Sequence, residues 1–242
     1  MSTFGIIGMG KMGQVIAAIL KGENNVQFHS FSRLSNANEI QLKSCDAVIE
    51  FTTPDAAPGI IRQCIESQIP IVSGTTGWQE YQLHSIIKLC TTMHGKFFYA
   101  SNFSIGMNIT FALSRKLAMI MNEYPQFAAS IKEIHHVHKK DSPSGTAHTL
   151  INDIVDLHDR YTDFELGRSP SAENKSILPV HSIREGEVKG YHEVTWQSDS
   201  EKITLSHEAF DRKIFAEGAI MAAGWLIAQK PGVYTMRDII DF

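Results

Sequence analysis

The 242-residue chain is 43% hydrophobic and 20% charged, ordinary values for a globular protein with room for one large or two small domains. Its formal net charge of −4 leaves no overall basic field to draw it to nucleic acid or an anionic membrane. No apolar run reaches the roughly 18 residues of a membrane span, an apolar strand beginning at Phe4 leaves no room for a signal peptide, and Cys45, Cys64 and Cys90 lack metal-ligand spacing, so buried thiols in a cytoplasmic protein are expected.

Residues 4–7 form a short apolar run followed at once by Gly8-Met9-Gly10-Lys11-Met12-Gly13, and Met12, Val15, Ile16, Ile19 and Leu20 then recur at helical spacing. This is the strand, glycine turn and helix of a dinucleotide fold, with Gly8 for the tight turn, Gly10 to admit the pyrophosphate and Gly13 for close packing. A merely tight strand-to-helix turn is the alternative. The second strand is expected at 26–31, ending on Ser32-Arg33 where such folds read the adenosine ribose. No acidic residue stands there, and a hydroxyl with a guanidinium suits a 2′-phosphate, which favours NADPH. The alternative is that Arg33 is a solvated loop residue.

Three more strands follow at 47–51, 69–73 and 96–100, the first two leading into a helix opened by Pro54 and a helix through Leu83, Ile86, Ile87 and Cys90. Alternation of this kind predicts a parallel sheet. It places Thr52-Thr53-Pro54, Gly74-Thr75-Thr76-Gly77 and Ser101-Asn102-Phe103 around one crevice at the strand ends, although each is also an ordinary cap or turn. After Asn102 the pattern changes to a long helix over 106–124, a strand over 129–136 and a helix from Ala147. A polar loop over 158–175 and strands over 177–184, 188–197 and 201–209 come next, with Glu185-Gly186-Glu187 a turn between the first two. Strands joined by short turns predict a mixed or antiparallel sheet. A helix over 215–229, stopped by Pro231-Gly232, ends the pattern. The expected class is α/β, a Rossmann-type parallel-sheet nucleotide domain over 1–103 with an α+β substrate domain over 104–212.

The densest chemistry lies in Glu133-Ile134-His135-His136-Val137-His138-Lys139-Lys140-Asp141-Ser142-Pro143-Ser144-Gly145-Thr146-Ala147. Ala147, Leu150, Ile151, Ile154 and Val155 give the helix one buried stripe, with Ser144 or Thr146 as N-cap. A helix opening on Ser144-Gly145-Thr146 presents unpaired N–H groups at the positive end of its dipole, a seat for a small anion, while three histidines and two lysines upstream supply protons and positive charge. Two alternatives stand beside this. One is a metal site of His136, His138 and Asp141 on an extended segment, and the other a solvated loop with a capped helix.

Taken together, these motifs resemble the 4-hydroxy-tetrahydrodipicolinate reductase (dihydrodipicolinate reductase) family. The resemblance is carried by Glu133, by 135–139 and by 141–147, with support from 74–77, 100–104, Arg184-Glu185-Gly186, His207-Glu208-Ala209 and Arg212, Phe215-Ala216 and Gly218-Ala219. It implies an NAD(P)H-dependent oxidoreductase of lysine and diaminopimelate biosynthesis acting on a small dicarboxylate. By the same resemblance His135 is the catalytic acid and Lys139 a second proton donor or electrostatic partner, while His136, Ser144, Gly145 and Thr146 hold the substrate. The cofactor, NADPH with NADH also accepted, lies on Gly8, Met9, Gly10, Lys11, Met12, Gly13, Ser32, Arg33, Gly74, Thr75, Thr76, Ala100, Ser101, Asn102 and Phe103, and no metal is expected. The nucleotide domain is completed by residues 213–242, and residues 104–212 also build a homotetramer. Two departures from the family pattern are a shorter glycine turn and Ser32 in place of the usual acidic residue. Other reductases of small dicarboxylic acids, or a non-catalytic NADPH-binding protein, are the competing functions.

Overall fold

The computed structural model describes residues 2–32, 42–167 and 175–240. The chain divides into two compact units, one made of Met1–Ile105 with Arg212–Asp241 and the other of Gly106–Asp211.

The first unit holds six strands, β1 (Ser2–Ile7), β2 (Val26–Phe31), β3 (Ala47–Glu50), β4 (Ile71–Ser73), β5 (Lys96–Tyr99) and β11 (Gly232–Tyr234), all parallel in the order β11-β5-β4-β3-β1-β2. Its helices are α1 (Lys11–Lys21), α2 (Ala57–Glu66), α3 (Gln79–Thr92), α6 (Lys213–Ile227) and α7 (Met236–Ile239). The inner strands β1, β3, β4 and β5 bury consecutive residues and so both faces, as a sheet sandwiched between helices requires. Ile6, Ile49, Val72 and Phe98 pack with α1 and α6, whereas Ile7, Val48, Ile71 and Phe97 pack with α2 and α3. The helix after β3 begins at Ala57, with Pro58 rather than Pro54 in its first turn, where the missing N–H of proline costs nothing. Strand β11, hidden behind the helix stop at Pro231-Gly232, extends the sheet beyond β5.

The second unit is a mixed five-stranded sheet in the order β10-β9-β6-β8-β7, built from β6 (Ala128–His135), β7 (Asp163–Leu166), β8 (Ile177–Arg184), β9 (Tyr191–Gln197) and β10 (Lys202–Glu208). Strand β7 lies inside the stretch expected to be a polar loop. Strands β8 and β9, joined through the turn at Gly186, are not neighbours, because β6 lies between them, parallel to β8 and antiparallel to β9. Helices α4 (Ile105–Met121) and α5 (Gly145–Leu157) bury Met107, Phe111, Leu150, Ile151 and Ile154 against one sheet face.

Register gives that face its character. Val180, Ile131, Val194 and Leu205 are level with one another across β8, β6, β9 and β10. Two residues along β6, the next row on the same face is Ser182, Glu133, His192 and His207. An apolar sheet face therefore turns polar at its last rungs, and a one-residue slip of β6 would move the whole set to the other face.

Candidate active site

In the first unit the chain leaves β1 for β2 on one side and then crosses to β3 on the other, so the strand order reverses between β1 and β3, the place where open α/β sheets bind ligands. A cavity of about 750 Å³ opens there, lined by Gly8 and Gly10 after β1, Ser32 after β2, and Phe51, Thr52 and Thr53 after β3. Gly8 has φ +98°, and a Cβ on it would stand 2.1 Å from the Phe51 carbonyl oxygen. A Cβ on Gly13 would meet the Gly8 carbonyl oxygen at 2.0 Å, whereas one on Gly10 would meet nothing within 4 Å. The turn is thus closed where strand and helix touch and open at the start of α1, whose N-cap Gly10 provides no side-chain hydrogen bond. A dinucleotide pyrophosphate fits such a place.

Other residues expected at the cofactor fall into two groups. Thr75 turns inward, its Oγ1 donating to Glu50 Oε1 (2.6 Å) and accepting from the Thr52 N–H (2.8 Å). Phe103 is a core residue against Phe51 and Phe98, so only its backbone is available to a ligand. Thr76, Ser101 and Lys11 are exposed, and Met9, Met12, Gly74, Ala100 and Asn102 are half-buried. Arg33 lies outside the described residues. Glu50, which sequence reasoning passed over, is fully buried and accepts hydrogen bonds from the Thr52 N–H, the Ser73 hydroxyl and the Thr75 hydroxyl.

In the second unit Glu133 is the hub. It is fully buried, and its Oε1 accepts from the Ser182 hydroxyl (2.6 Å), the Ser144 N–H (3.0 Å) and the Arg184 guanidinium (3.4 Å). Its Oε2 faces His135 Nδ1 at 3.3 Å and His192 Nε2 at 3.7 Å. Burial alone would push this carboxyl up, but the hydrogen bonds from His135, Ser144 and Ser182 outweigh it and hold it well below the usual carboxylate range. Burial, reinforced by the neighbouring His135, pushes His192 down to about 3, so His192 is neutral at physiological pH. The two imidazoles meet edge to face with centroids 5.1 Å apart. Gly190 borders the far side of the His135 ring, where a Cβ would stand 3.4 Å from Nε2.

Ser144 proves to be the N-cap, its Oγ accepting from the Ala147 N–H at 3.1 Å, so α5 begins at Gly145 and Thr146 is not the cap. With its N–H on Glu133 and its Oγ 3.3 Å from His192 Nε2, Ser144 is 2% exposed and faces inward. Gly145, with nothing within 4 Å of a would-be Cβ, is the open position at this helix start. Lys139 pairs with Asp141 at 2.8 Å. Burial pushes the Asp141 carboxyl up, yet the Lys139 ammonium outweighs that and leaves it below its ordinary value. Strand β6 ends at His135, so His136 and His138 do not share an extended face; His138 instead lies 3.7 Å from Glu187. The metal set weighed as an alternative, His136, His138 and Asp141, is not among the converging ligand groups of the described residues. Glu133, His135 and His192 do place their nitrogen and oxygen atoms within 4.8 Å of one another, but Arg184 and the serine donors already balance that carboxylate. Among the described residues no helix is long and apolar enough to cross a membrane.

Residues 3–103 match the family described as "Dihydrodipicolinate reductase, N-terminus" and residues 106–240 match "Dihydrodipicolinate reductase, C-terminus". The chain is 37% identical over 237 residues to the 4-hydroxy-tetrahydrodipicolinate reductase of Christiangramia forsetii, covering 98% of this chain and 96% of that one. It is 34% identical over 252 residues to that of Pelagibacter ubique, covering 97% and 95%. Among solved structures, the dipicolinate-bound dihydrodipicolinate reductase from Paenisporosarcina sp. TG-14 matches with a TM-score of 0.78 at 22% identity, covering 99% of this chain and 100% of that one, a likeness of fold. Matched in both halves, and related above 30% identity along nearly its whole length, the chain belongs to the dihydrodipicolinate reductase family.

Proposed function

We propose that this chain reduces 4-hydroxy-tetrahydrodipicolinate to tetrahydrodipicolinate in lysine and diaminopimelate biosynthesis, with His135 as proton donor and NADPH as the preferred hydride source. The observation that carries it is the pairing of His135 Nδ1 with the buried Glu133 carboxylate beside the start of α5. The substrate's 4-hydroxyl leaves as water to give an unsaturated cyclic imine bearing two carboxylates, and the reduced nicotinamide, when bound, supplies a hydride to one carbon of it. His135 gives the proton that the neighbouring carbon must receive. Gly145 and Thr146 offer backbone N–H groups to one carboxylate, and His136 and Lys139 supply positive charge to the rest of the dianion. Ser144 serves from behind, fixing the helix start through Glu133 and Ala147.

The test is to make the cyclic substrate with a synthase and follow nicotinamide absorbance on adding this protein. Turnover only with other small dicarboxylic acids would move the assignment to a neighbouring reductase, and cofactor binding without turnover would make it a binding protein. His135→Gln is expected to lower kcat about 10²- to 10⁴-fold with the cofactor KM nearly unchanged. An unaltered kcat would move the proton-donor role to His136, His138 or Lys139.

The NADPH preference rests on Ser32 at the cavity, on the lack of an acidic residue at the end of β2, and on Arg33, which follows in sequence. A guanidinium–phosphate contact is worth roughly 1.5–3 kcal/mol, so kcat/KM should favour NADPH about 10- to 150-fold, towards the lower end. NADH is also accepted. Arg33→Ala should remove most of that margin, and equal efficiency of the wild type with both cofactors at low salt would show that Arg33 points elsewhere. We place the enzyme in the cytoplasm as a homotetramer. A light-scattering mass near that of one 27.0 kDa chain would overturn the assembly.

A further inference from the structure

Two side chains beside His135 have been given no contact with substrate or cofactor, yet they are among the most buried polar groups of the second unit. Glu133 is 0% exposed and His192 4% exposed, and both reach His135 across the polar row set by strand register. The serine and Arg184 donors all go to Glu133 Oε1, which leaves Oε2 to the imidazoles. Oε2 looks onto two ring nitrogens, His135 Nδ1 at 3.3 Å and His192 Nε2 at 3.7 Å. An ionised carboxylate can only accept, so a neutral His135 gains most by keeping its one proton on Nδ1, towards Oε2. That leaves Nε2, on the side bordered by the side-chain-free Gly190, as the nitrogen that exchanges a proton.

We propose that Glu133 and His192 are positioning residues for His135, holding it in a single tautomer with the proton on Nδ1 and Nε2 as the delivering atom, while Glu133 ties that ring to the start of α5. The proposal rests on His135 being the proton donor. In the step it describes, the Nε2–H bond of the imidazolium breaks and a C–H bond forms at the substrate carbon next to the one that takes the hydride. His135 is left as the neutral Nδ1–H imidazole and recovers its Nε2 proton from solvent. The buried carboxylate matches the imidazolium charge before transfer and fixes the tautomer after it, the arrangement by which an acid orients a histidine in other proton-transfer sites. Because burial keeps His192 neutral, it does not compete with the His135 imidazolium for Oε2, while Arg184 pairs with Oε1. A single carboxylate serves both tasks: Oε1 takes the Ser144 N–H, so the helix end offered to the substrate is anchored on the same group as the acid. Ser144 Oγ, 3.3 Å from His192 Nε2, closes the loop.

Among the described residues, the charged and titratable groups around the pair include Arg184 on β8, His192 on β9, His207 on β10 and Lys139 after β6, with Asp141 paired to Lys139. Removing the Glu133 carboxylate takes away the negative charge that faces the His135 ring. Glu133→Gln, which keeps the shape, is therefore expected to lower kcat about 10²-fold, to leave the NADPH KM unchanged, and to move the high-pH limb of the kcat/KM profile to lower pH. His192→Gln should lower kcat about 10-fold and shift the same limb less, within the range known for residues that orient a functional histidine. The direct measurement is made on the wild-type holoenzyme: multiple-bond ¹H–¹⁵N spectra of ¹⁵N-histidine-labelled protein above the His135 titration should show Nδ1 protonated and Nε2 bare. A neutral His135 with its proton on Nε2 would overturn the proposal even if neither variant folds. So would a Glu133→Gln enzyme with wild-type turnover and pH profile while His135→Gln is impaired. If His135→Gln itself turned over normally, the proton-donor assignment would fall and this proposal with it.

Discussion

In the unfolded chain His192 would titrate near its ordinary value of about 6.5, while in the folded protein burial, with His135 adding to it, takes it down to about 3. Between those values the unfolded state binds a proton that the folded state refuses, so stability falls as pH drops through the window. Glu133 has the same sign lower down. Its depressed folded value contributes stability that is present above about pH 4.3 and is lost as pH falls towards that depressed value. One such group can supply at most about 1.4 kcal/mol per pH unit. Urea unfolding at pH 7 and pH 5.5 should thus show the wild type losing stability and His192→Gln losing less. His207 and His158, both lowered by burial, remain in the variant, so the difference isolates His192. Equal losses would mean that His192 is protonated or solvated in the folded protein. His135, His136, Lys139, Gly145 and Thr146 can be put forward as site candidates from the sequence because they fall in one continuous run. The partners of Glu133 cannot. Ser182 and His192 come from two other strands, with His207 beside His192 on a third, and register, which no local spacing announces, brings them into one row. The one available signal was weak: His192 and His207 each occupy an inward position of an alternating strand where an apolar residue is expected.

At the scale of elements, the turn from β1 into α1 separates two roles that one glycine pattern confounds. Gly13 is where helix meets strand, and an added Cβ would stand 2.0 Å from the Gly8 carbonyl oxygen, a backbone atom that cannot swing aside. Gly13→Ala is therefore expected to cost about 1–3 kcal/mol or more by overpacking. Gly10 has an ordinary φ of −74° and open space around it, so Gly10→Ala should change stability by no more than about 0.5 kcal/mol. Its methyl group would stand where a pyrophosphate approaches, and NADPH affinity should fall tenfold or more, about 1.4 kcal/mol. Thermal melts and NADPH titrations of the two variants check this, and a Gly10→Ala protein that binds NADPH like the wild type would displace the pyrophosphate from the start of α1. Long, strongly patterned elements such as α4 and α6 are plain from periodicity. Strands β7 and β11 are not, because four and three residues are too few to show alternation and each lies at a sheet edge with no fully buried residue.

For the whole molecule, the consequence lies in where the chain returns. The first unit is discontinuous: the chain leaves it at Ile105 and re-enters at Arg212, and what returns is not a peripheral tail. Helix α6 buries Ala216, Ala219, Ala222, Ala223 and Leu226 in the same core as Ile6, Ile16 and Leu20, and a Cβ on its Gly218 would stand 1.8 Å from the Phe103 carbonyl oxygen. Leu226 alone contributes about 1.5–3 kcal/mol by its burial, against a total stability of only about 5–15 kcal/mol for a typical domain. Strand β11 pairs with β5, and the Lys96 ammonium donates to the Ile227 carbonyl at 2.7 Å, tying α6 to the same strand. A chain ending at residue 211 would leave one sheet face half uncovered and β5 an open edge ready to pair with other chains. It is expected to melt without cooperativity or to aggregate, and to lose NADPH binding, although Gly8, Gly10 and Ser32 are all still present. The comparison is a thermal melt by circular dichroism alongside NADPH fluorescence titration of residues 1–211 and of the full chain. A truncated protein that melts cooperatively within a few degrees of the full chain and binds NADPH with equal affinity would show that the nucleotide unit is complete before the chain returns.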